Sequence, residues 1–342
     1  MLDSNRILLS IITPAYNASA FLPALIASVE AASEAASKET AIEWILVDDG
    51  STDNTAEIFL GHAQLNPDWR LVQQVNQGLA TTRNNGLSVA RGSYIWFVDA
   101  DDLITTSSLL VLSTWLSRSS GQPRALDMLG FQARTFSDKA DGDDIYRRTK
   151  PTDPIGGQEW LCNLVGQKEL RHFAWIYWYR RDFLNAHQLR FVPGLLHEDV
   201  VFTTEAMLYA KWVGFADCCA YKYRLNPSSL TGRRSDEALM NRIDSYFPIV
   251  ERLRDLKQQL SIDERTRRAL KGEIIGQAVH IFELAKQLKD ERRRYSVGEK
   301  SRRTRFVESL FVEVTSPKRL RQVIVMWLKQ WRLLPIGKEK TK

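Results

Sequence analysis

Residues 97–102, FVDADD, place three carboxylates directly after an apolar run, SYIWFV (93–98). Carboxylates repel one another, so a cluster at the end of a buried strand calls for a compensating positive charge. Magnesium and manganese prefer oxygen ligands, and they bridge carboxylates to substrate phosphates. Asp99-Ala100-Asp101 therefore predicts a divalent-metal site, and the same residues also suit a solvated acidic turn that caps a following helix.

Two further polar clusters follow apolar runs earlier in the chain. Pro14-Ala15-Tyr16-Asn17 follows ILLSIIT (7–13), and Asp48-Asp49-Gly50-Ser51 follows IEWILV (42–47). Runs that are apolar throughout and separated by helical patterns predict a doubly wound, mostly parallel α/β sheet with helices on both faces. Ligands bind beyond the carboxyl ends of the strands in such sheets. We therefore expect the three clusters to meet at one edge of the sheet.

The elements between and after these clusters follow from periodicity and from turn residues. A helix is expected over 21–29, a third strand over 69–74 and a second helix over 78–92. Residues 126–135 predict another strand, and the polar, turn-rich segment 137–157 predicts a loop. From Asp236 onward the pattern is helical and charged.

Four segments together resemble the family 2 glycosyltransferases, with the order and spacing of the family's motifs. The resemblance covers Ile7 to about Thr231. It implies an inverting enzyme of the GT-A fold that uses a nucleotide-sugar donor. The segments are ITPAYN (12–17), LVDDGSTDNT (46–55), GLATTRNNGLSVARGSYIWFVDADD (78–102) and LLHEDVVF (195–202).

The resemblance also implies a domain organisation. Residues 1–231 would form the GT-A domain, with a nucleotide-sugar half over 1–102 and an acceptor half over 103–231. Residues 232–342 would form a basic, helical C-terminal region. The chain lacks the QxxRW motif of the family's processive members, which favours a transferase that adds a single sugar.

Individual roles follow from the same resemblance. Asp49 would accept a hydrogen bond from the base, which is the reason to expect uracil and hence a UDP-sugar. Asp101 would coordinate Mn²⁺ or Mg²⁺, and Asp99 would share the metal or hold the ribose hydroxyls. Asp199 of the HED segment would be the general base that takes a proton from the acceptor hydroxyl. The residues expected to bind the nucleotide sugar are Pro14, Ala15, Tyr16, Asn17, Asp49, Arg83, Asp99 and Arg224.

Several of these residues also have a purely structural interpretation. Asp48 suits the cap of the following turn as well as it suits a nucleotide contact, and Asp102 is expected to cap a helix that starts at Leu103. Asp199 suits the start of a helix, where acids are stabilised, and this placement is compatible with a role as base. The aromatic residues of 175–179 would either stack on an acceptor sugar or pack in the core.

The expected activity is transfer of a hexosyl or N-acetylhexosaminyl group to a saccharide or lipid-linked acceptor, in synthesis of a bacterial surface polysaccharide or lipopolysaccharide. Two alternatives stay open. A metal-dependent nucleotidyl- or phosphotransferase would also need clustered aspartates, and it would release pyrophosphate instead of UDP. A binding or scaffold protein on the same fold would not turn over.

Charge divides the chain unevenly. Residues 236–342 carry 25 Lys and Arg against 15 Asp and Glu, whereas residues 1–235 carry a net charge of −4. Because the expected cleft is acidic, nucleic-acid binding is disfavoured. The helical stripe of Leu320, Val323, Ile324, Trp327, Leu328 and Trp331, with basic residues beside it, suits either an anionic membrane surface or packing on the protein or on a second subunit.

The cysteines and the first residues bear on location. Cys162, Cys218 and Cys219 lack metal-ligand spacing, which favours a reducing compartment. MLDSNRILLS does not predict a secretory signal. We expect a cytoplasmic protein, peripheral on the inner membrane if the C-terminal helix binds lipid, and a homo-oligomer is compatible with the sequence.

Overall fold

The computed structural model describes residues 7–36, 41–119, 125–137, 140–146, 152–225 and 235–332. The chain divides into two compact units. The first comprises Met1–Trp160, Arg171–Gly194 and Phe202–Asn226, and the second comprises Leu161–Leu170, Leu195–Val201 and Pro227–Lys342. The domain boundary predicted after residue 231 lies outside the described residues and stays a prediction.

The first unit is built on a mixed sheet of ten strands among the described residues. Its order is β3-β2-β1-β4-β9-β6-β10-β5, with β7 paired to β6 and β8 paired to β10. The strands are β1 (Leu9–Ala15), β2 (Ile42–Asp48), β3 (Trp69–Gln73), β4 (Tyr94–Phe97), β5 (Leu103–Ile104), β6 (Met128–Ser137), β7 (Ala140–Tyr146), β8 (Thr152–Ile155), β9 (Tyr177–Arg180) and β10 (Val213–Arg224).

The first four strands are parallel, and three of them are buried along almost their whole length. β1 pairs in parallel with both β2 and β4, and β2 pairs in parallel with β3. Apolar side chains on both faces of β1, β2 and β4 explain why their sequences do not alternate. The predicted doubly wound α/β fold is confirmed. The helices that accompany this sheet are α1 (Leu22–Ala35), α2 (Thr55–Ala63), α3 (Leu79–Val89), α4 (Ser108–Ser119) and α6 (Arg181–Ala186).

Two expectations for the middle of the chain are wrong. The segment 137–157 is not a loop throughout, because β7 pairs antiparallel with β6 and β8 pairs antiparallel with β10. Backbone pairing with a neighbouring strand does not require apolar side chains, so these polar strands carry no hydrophobic signal. No helix begins at Leu103, which lies in β5 and pairs antiparallel with β10.

The second unit is helical. Its long helices are α8 (Asp236–Gln259), α9 (Glu264–Ala285), α10 (Glu291–Arg303) and α11 (Pro317–Arg332), and a 3₁₀ helix covers Glu308–Glu313. α5 (Gly157–Gln167) and α7 (Glu198–Tyr209) contribute residues to both units. Ser316 caps α11, because its Oγ accepts from the Arg319 amide at 3.3 Å. None of the helices described here is long and apolar enough to cross a membrane.

Candidate active site at the carboxyl ends of the strands

The acidic loop, residues 99–102, follows β4 and is held from one side by α3. The Arg83 guanidinium of α3 donates to Asp99 Oδ1 at 2.6 Å. Arg83 is buried, and its guanidinium lies 5.2 Å from the centre of the Phe191 ring. Arg83 thus contacts both Asp99 and Phe191, and its approach to a diphosphate stays a prediction.

β10 holds the acidic loop from the other side. The Tyr221 hydroxyl donates to Asp102 Oδ2 at 2.6 Å and accepts from the Asp99 amide at 3.1 Å. Asp102 Oδ1 also accepts from the Arg224 amide at 2.6 Å. Asp102 is thus structural, as expected, but it ties the loop to β10 and does not cap a helix.

Electrostatics in the acidic loop reflect the crowding of like charges. Burial, followed by the charges of Asp99 and Asp101, raises the pKa of Asp102 well above its usual value. Burial also raises the pKa of Tyr221, and the negative charges of Asp102 and Asp99 add to this shift. A bound cation would relieve the repulsion that these shifts report.

Arg224 lies directly on the acidic loop. Its Nε donates to the Asp101 carbonyl oxygen at 2.7 Å, and its guanidinium lies 4.5 Å from the centre of the Phe136 ring and 5.4 Å from that of Phe21. Sequence reasoning named Arg224 without placing it at the aspartates. The structure puts a permanent positive charge beside Asp101, where an anionic ligand of the loop would lie.

The donor set fits a metal that is shared with a substrate. Within the residues that the structure describes, no group of three or more His, Cys, Asp or Glu side chains is arranged to hold a metal. Asp99 and Asp101 are both half-buried at the end of a strand, so their carboxylates can reach a ligand. Mg²⁺ and Mn²⁺ are commonly bound by one or two carboxylates together with substrate phosphates, and this site matches that pattern.

Asp49 organises the loop between β3 and α3. Its Oδ1 accepts from Gln74 Nε2 and from the Gln77 amide, each at 2.8 Å, and its Oδ2 accepts from the Gly78 amide at 2.9 Å. A carboxylate has about four acceptor positions, so these three bonds leave room for one more. Contact with a base therefore remains a prediction, whereas the positioning of this loop is a role that sequence reasoning missed.

The loop after β1 is fixed against the loop after β2. The Asn17 amide donates to Ser51 Oγ at 2.9 Å, and Asn17 Oδ1 accepts from the Thr52 amide at 2.8 Å. Asp48 Oδ1 accepts from the Ser51 amide at 2.9 Å, so Asp48 caps this turn. The two polar clusters therefore meet at the carboxyl ends of their strands, as expected.

The ring of Tyr16 is presented at this edge. Pro14 and Ala15 are buried, whereas Tyr16 is 54% exposed. The chain turns sharply after it, because Asn17 has a φ of +51°. An exposed ring on a loop that is hydrogen-bonded in place suits stacking against a planar base, which stays a prediction.

The turn that follows β2 requires a glycine at position 50. The φ of Gly50 is +75°, and a Cβ at this position would lie 3.0 Å from the Asn76 amide nitrogen. A larger residue would push the loop after β2 away from the loop after β3.

The aromatic run at the start of β9, together with Trp175 before it, packs in the core of the first unit. Trp175, Tyr177, Trp178 and Tyr179 are all buried. The Trp175 ring stacks on Tyr221 with centroids 4.3 Å apart and planes 6° apart, which fixes the residue that holds the acidic loop. Sequence reasoning missed Tyr221, and its only signal is its place three residues before Arg224 near the end of a strand.

Asp199 lies in the second unit, in the first turn of α7. Its side chain is half-buried, and Glu198 beside it is buried. His197, which precedes the helix, has a φ of +64°. The helix start matches the structural interpretation of Glu198 and Asp199, and the role of base stays a prediction.

The fold is of the GT-A type, which is also the fold of several solved transferases. TarS (residues 1–349) from S. aureus, solved with UDP-GlcNAc, matches with a TM-score of 0.54 and 17% identity over 84% of this chain and 86% of TarS. A mannosyltransferase from Pyrobaculum calidifontis, solved with GDP-Man and Mn²⁺, matches with a TM-score of 0.54 and 13% identity over 96% and 88%. At these identities the likeness shows the fold alone.

Residues 10–120 of the chain match the model of glycosyl transferase family 2. The uncharacterized glycosyltransferase YibD of Escherichia coli (strain K12) is 32% identical over 64% of this chain and 63% of its own length. The uncharacterized glycosyltransferase EpsJ of Bacillus subtilis (strain 168) is 31% identical over 66% of this chain and 63% of its own length. The chain thus spans less than two thirds of these relatives.

Proposed function

We propose that the protein transfers a sugar from a UDP-sugar to a hydroxyl of a saccharide or lipid-linked acceptor, in synthesis of a bacterial surface polysaccharide or lipopolysaccharide. The observation that carries the proposal is the acidic loop, which Arg83, Tyr221 and Arg224 hold at the carboxyl ends of the strands of a family 2 domain. A nucleotide-sugar donor is supported by TarS, which was solved with UDP-GlcNAc. The transferred group would be a hexosyl or N-acetylhexosaminyl residue.

Each charged group has a defined part in the proposed reaction. The acceptor oxygen attacks the anomeric carbon, the bond from that carbon to the diphosphate oxygen breaks, and UDP leaves with the bonding electrons. Asp199 takes the proton of the acceptor hydroxyl, and a single displacement inverts the anomeric carbon. Mn²⁺ or Mg²⁺, held by Asp101 and Asp99, would supply positive charge to the leaving diphosphate. Arg224 adds a fixed cation at the same loop.

The test of the base is Asp199→Asn, which is nearly isosteric. We expect UDP binding to be retained and turnover, measured as UDP release over a panel of UDP-sugars, to fall roughly 100-fold or more. Asp182→Asn, an exposed acid on α6, is the matched control and should behave as the native protein. An Asp199→Asn protein with native turnover would remove Asp199 from the mechanism.

The reaction class is decided by the products. Free UDP and an inverted linkage, read by NMR, are expected. Release of pyrophosphate would instead establish a nucleotidyltransferase, and UDP binding with no turnover of any donor would establish a binding protein.

The metal is tested at Asp101. Asp101→Ala should weaken UDP binding in the presence of Mn²⁺ and abolish turnover, and EDTA should do the same to the native protein. The assignment fails if UDP binds equally well with and without Mn²⁺ and EDTA leaves turnover intact.

We propose an anionic membrane surface as the partner of α11. The predicted single apolar stripe divides, because Val323 is buried at 0% exposure whereas a second set faces outward. Met326, which the prediction did not include, is buried beside Val323 at 1% exposure. Residues 317–332 contain five Lys and Arg and no acidic residue, so the outward set lies on a basic helix. Trp331 was expected in the stripe, but its side chain lies outside the described part of the chain. The outward residues are Leu320 (40% exposed), Ile324 (42%), Trp327 (39%) and Leu328 (42%).

Lipid binding would combine burial of this apolar set with attraction between basic residues and anionic headgroups. The protein should pellet with vesicles that contain phosphatidylglycerol, and less of it should pellet as salt rises. Ile324→Gln with Leu328→Gln should stay in the supernatant and still release UDP, whereas Val325→Gln, which replaces an exposed residue off this set, should pellet. The membrane proposal would be refuted if the protein associates with itself in the absence of vesicles and the double variant abolishes this association. The partner of α11 would then be a second copy of the chain.

A further inference from the structure

The segment that carries Asp199 is packed on helices that lie outside the family match. The Leu196 amide donates to Ser245 Oγ of α8 at 3.0 Å. The His197 ring stacks on Tyr246 of α8, with centroids 5.1 Å apart and planes 25° apart. Tyr246 in turn stacks on His280 of α9, at 5.3 Å and 26°. Ser245 and Tyr246 of α8 therefore form a clasp on the two residues just before α7, and His280 of α9 packs behind Tyr246.

The clasp holds a strained backbone. His197 has a φ of +64°, in the left-handed region that costs a residue with a side chain on the order of 1 kcal/mol or more. The conformation reverses the chain into α7, where the Val200 amide donates to the His197 carbonyl oxygen at 3.1 Å. Such a conformation persists only when surrounding contacts enforce it, and the stack on Tyr246 is the contact that fixes the His197 side chain.

Burial and nearby charges shift the pKa values of both stacked residues, His197 and Tyr246. Burial, followed by the charges of Arg242 and His280, lowers the pKa of His197 to about 4, so the imidazole is neutral at pH 7. Burial raises the pKa of Tyr246, Arg242 opposes that shift, and the Asp199 carboxylate adds to it. Tyr246 therefore lies within electrostatic range of the Asp199 carboxylate as well as in ring contact with His197.

We propose that Tyr246, acting with His197 and Ser245, is a positioning residue for Asp199. The stacked rings and the Ser245 hydrogen bond fix residues 196 and 197, and these residues fix the first turn of α7 and the direction of the Asp199 side chain. The inference deepens the proposed function, because it depends on Asp199 as base. It makes α8 and α9 part of the catalytic apparatus, although the family match ends at residue 120.

The experiment compares two replacements at Tyr246 in the full-length protein. Tyr246→Leu removes the ring, and we expect kcat for UDP release to fall by about 10- to 100-fold, the cost of a small misplacement of a catalytic group. The KM for the UDP-sugar should not change. Tyr246→Phe keeps the ring, so kcat should return to within about threefold of the native value. Equal losses in both variants would show that the hydroxyl matters instead of the stack, and would overturn the proposal.

Phe247→Leu is the matched control. Phe247 is the next residue of α8, is equally buried, and packs on Phe306 with centroids 4.7 Å apart. We expect it to lower the melting temperature about as much as Tyr246→Leu while leaving kcat unchanged. The positioning role would be overturned if kcat falls in both Tyr246→Leu and Phe247→Leu in proportion to the fall in melting temperature.

Ser245→Ala covers the case in which Tyr246→Leu does not fold. It removes one atom and the hydrogen bond to Leu196, and kcat should fall several-fold with an unchanged KM. If Asp199→Asn is inactive but Ser245→Ala and every folded Tyr246 variant keep the native kcat, the positioning inference is rejected and the proposed base is retained. Native turnover in Asp199→Asn would reject the proposed base, and the inference with it.

Discussion

Tyr221→Phe tests how the acidic loop is held. The change removes one oxygen that donates to Asp102 at 2.6 Å and accepts from the Asp99 amide at 3.1 Å. Tyr221 is completely buried, so water does not replace either bond without rearrangement. A hydrogen bond to a charged group contributes about 1.5–3 kcal/mol, and a buried amide left without an acceptor costs about 1–3 kcal/mol. Since the loop can relax in part, we expect a loss of about 3 kcal/mol in the free energy of unfolding.

The expected loss has a functional counterpart. Asp99 and Asp101 would no longer be held in one arrangement, so the affinity for UDP with Mn²⁺ should fall by about tenfold, which corresponds to about 1.4 kcal/mol. Urea unfolding followed by tryptophan fluorescence measures the first effect, and titration calorimetry measures the second. Tyr177→Phe is the control, because it removes a buried hydroxyl of the same sheet that accepts from Trp160 Nε1 at 3.1 Å. Tyr177→Phe should lower the free energy of unfolding by about 1 kcal/mol and leave the affinity for UDP unchanged.

The reasoning would be refuted by a Tyr221→Phe protein that unfolds at the native urea concentration and binds UDP as the native protein does. A variant as unstable as expected but with native UDP affinity would separate stability from the site. In that case the loop would be held sufficiently by Arg83 and Arg224.

Two further predictions concern stability. Glu43 is buried at the amino ends of the strands, accepts from Ser10 Oγ at 2.5 Å and pairs with Arg70 at 2.8 Å and Arg91 at 3.0 Å. Glu43→Gln should lower the free energy of urea unfolding by about 3 kcal/mol without changing kcat, and a native unfolding midpoint would refute this. Burial lowers the pKa of His197 from its ordinary 6.5 to about 4 in the folded protein, so the unfolded chain binds more protons between these values. The free energy of unfolding that the neutral His197 contributes above pH 6.5 should be lost as the pH falls toward 4, by about 3 kcal/mol in all. His197→Gln should therefore make the free energy of unfolding less dependent on pH between 6.5 and 4.

Sequence patterns predict the strands that are buried on both faces and the charges that follow them. β1, β2 and β4 are mainly apolar, so the acidic residues that follow β2 and β4 stand out, and Asp48, Asp99 and Asp101 are found at those ends. β7 and β8 have no such contrast, because pairing with β6 and β10 satisfies their backbones and leaves polar side chains in place. Their strands are set by non-local pairing, which local sequence does not encode.

The faces of α11 were also beyond sequence reasoning. Val323 and Ile324 are adjacent and equally apolar, yet Val323 is buried and Ile324 is exposed. The apolar residues of α11 cover more of the helix surface than one neighbouring helix can bury, so the sequence does not show which of them face inward. The position of the neighbouring helices decides it, and that position comes from the fold of the whole unit.

The contacts that complete the candidate site come from late in the chain for a physical reason. A loop at the end of a buried strand has backbone amides and carbonyls that the strand ladder does not pair, and the Asp99 amide and the Asp101 carbonyl oxygen are examples. A neighbouring element must supply a partner, and here β10 does so with Tyr221 and Arg224. The segment before α7 has the same need, which α8 meets at the Leu196 amide. The family match over residues 10–120 therefore includes Arg83, Asp99 and Asp101, while Tyr221 and Arg224, which also hold the acidic loop, come from later in the chain.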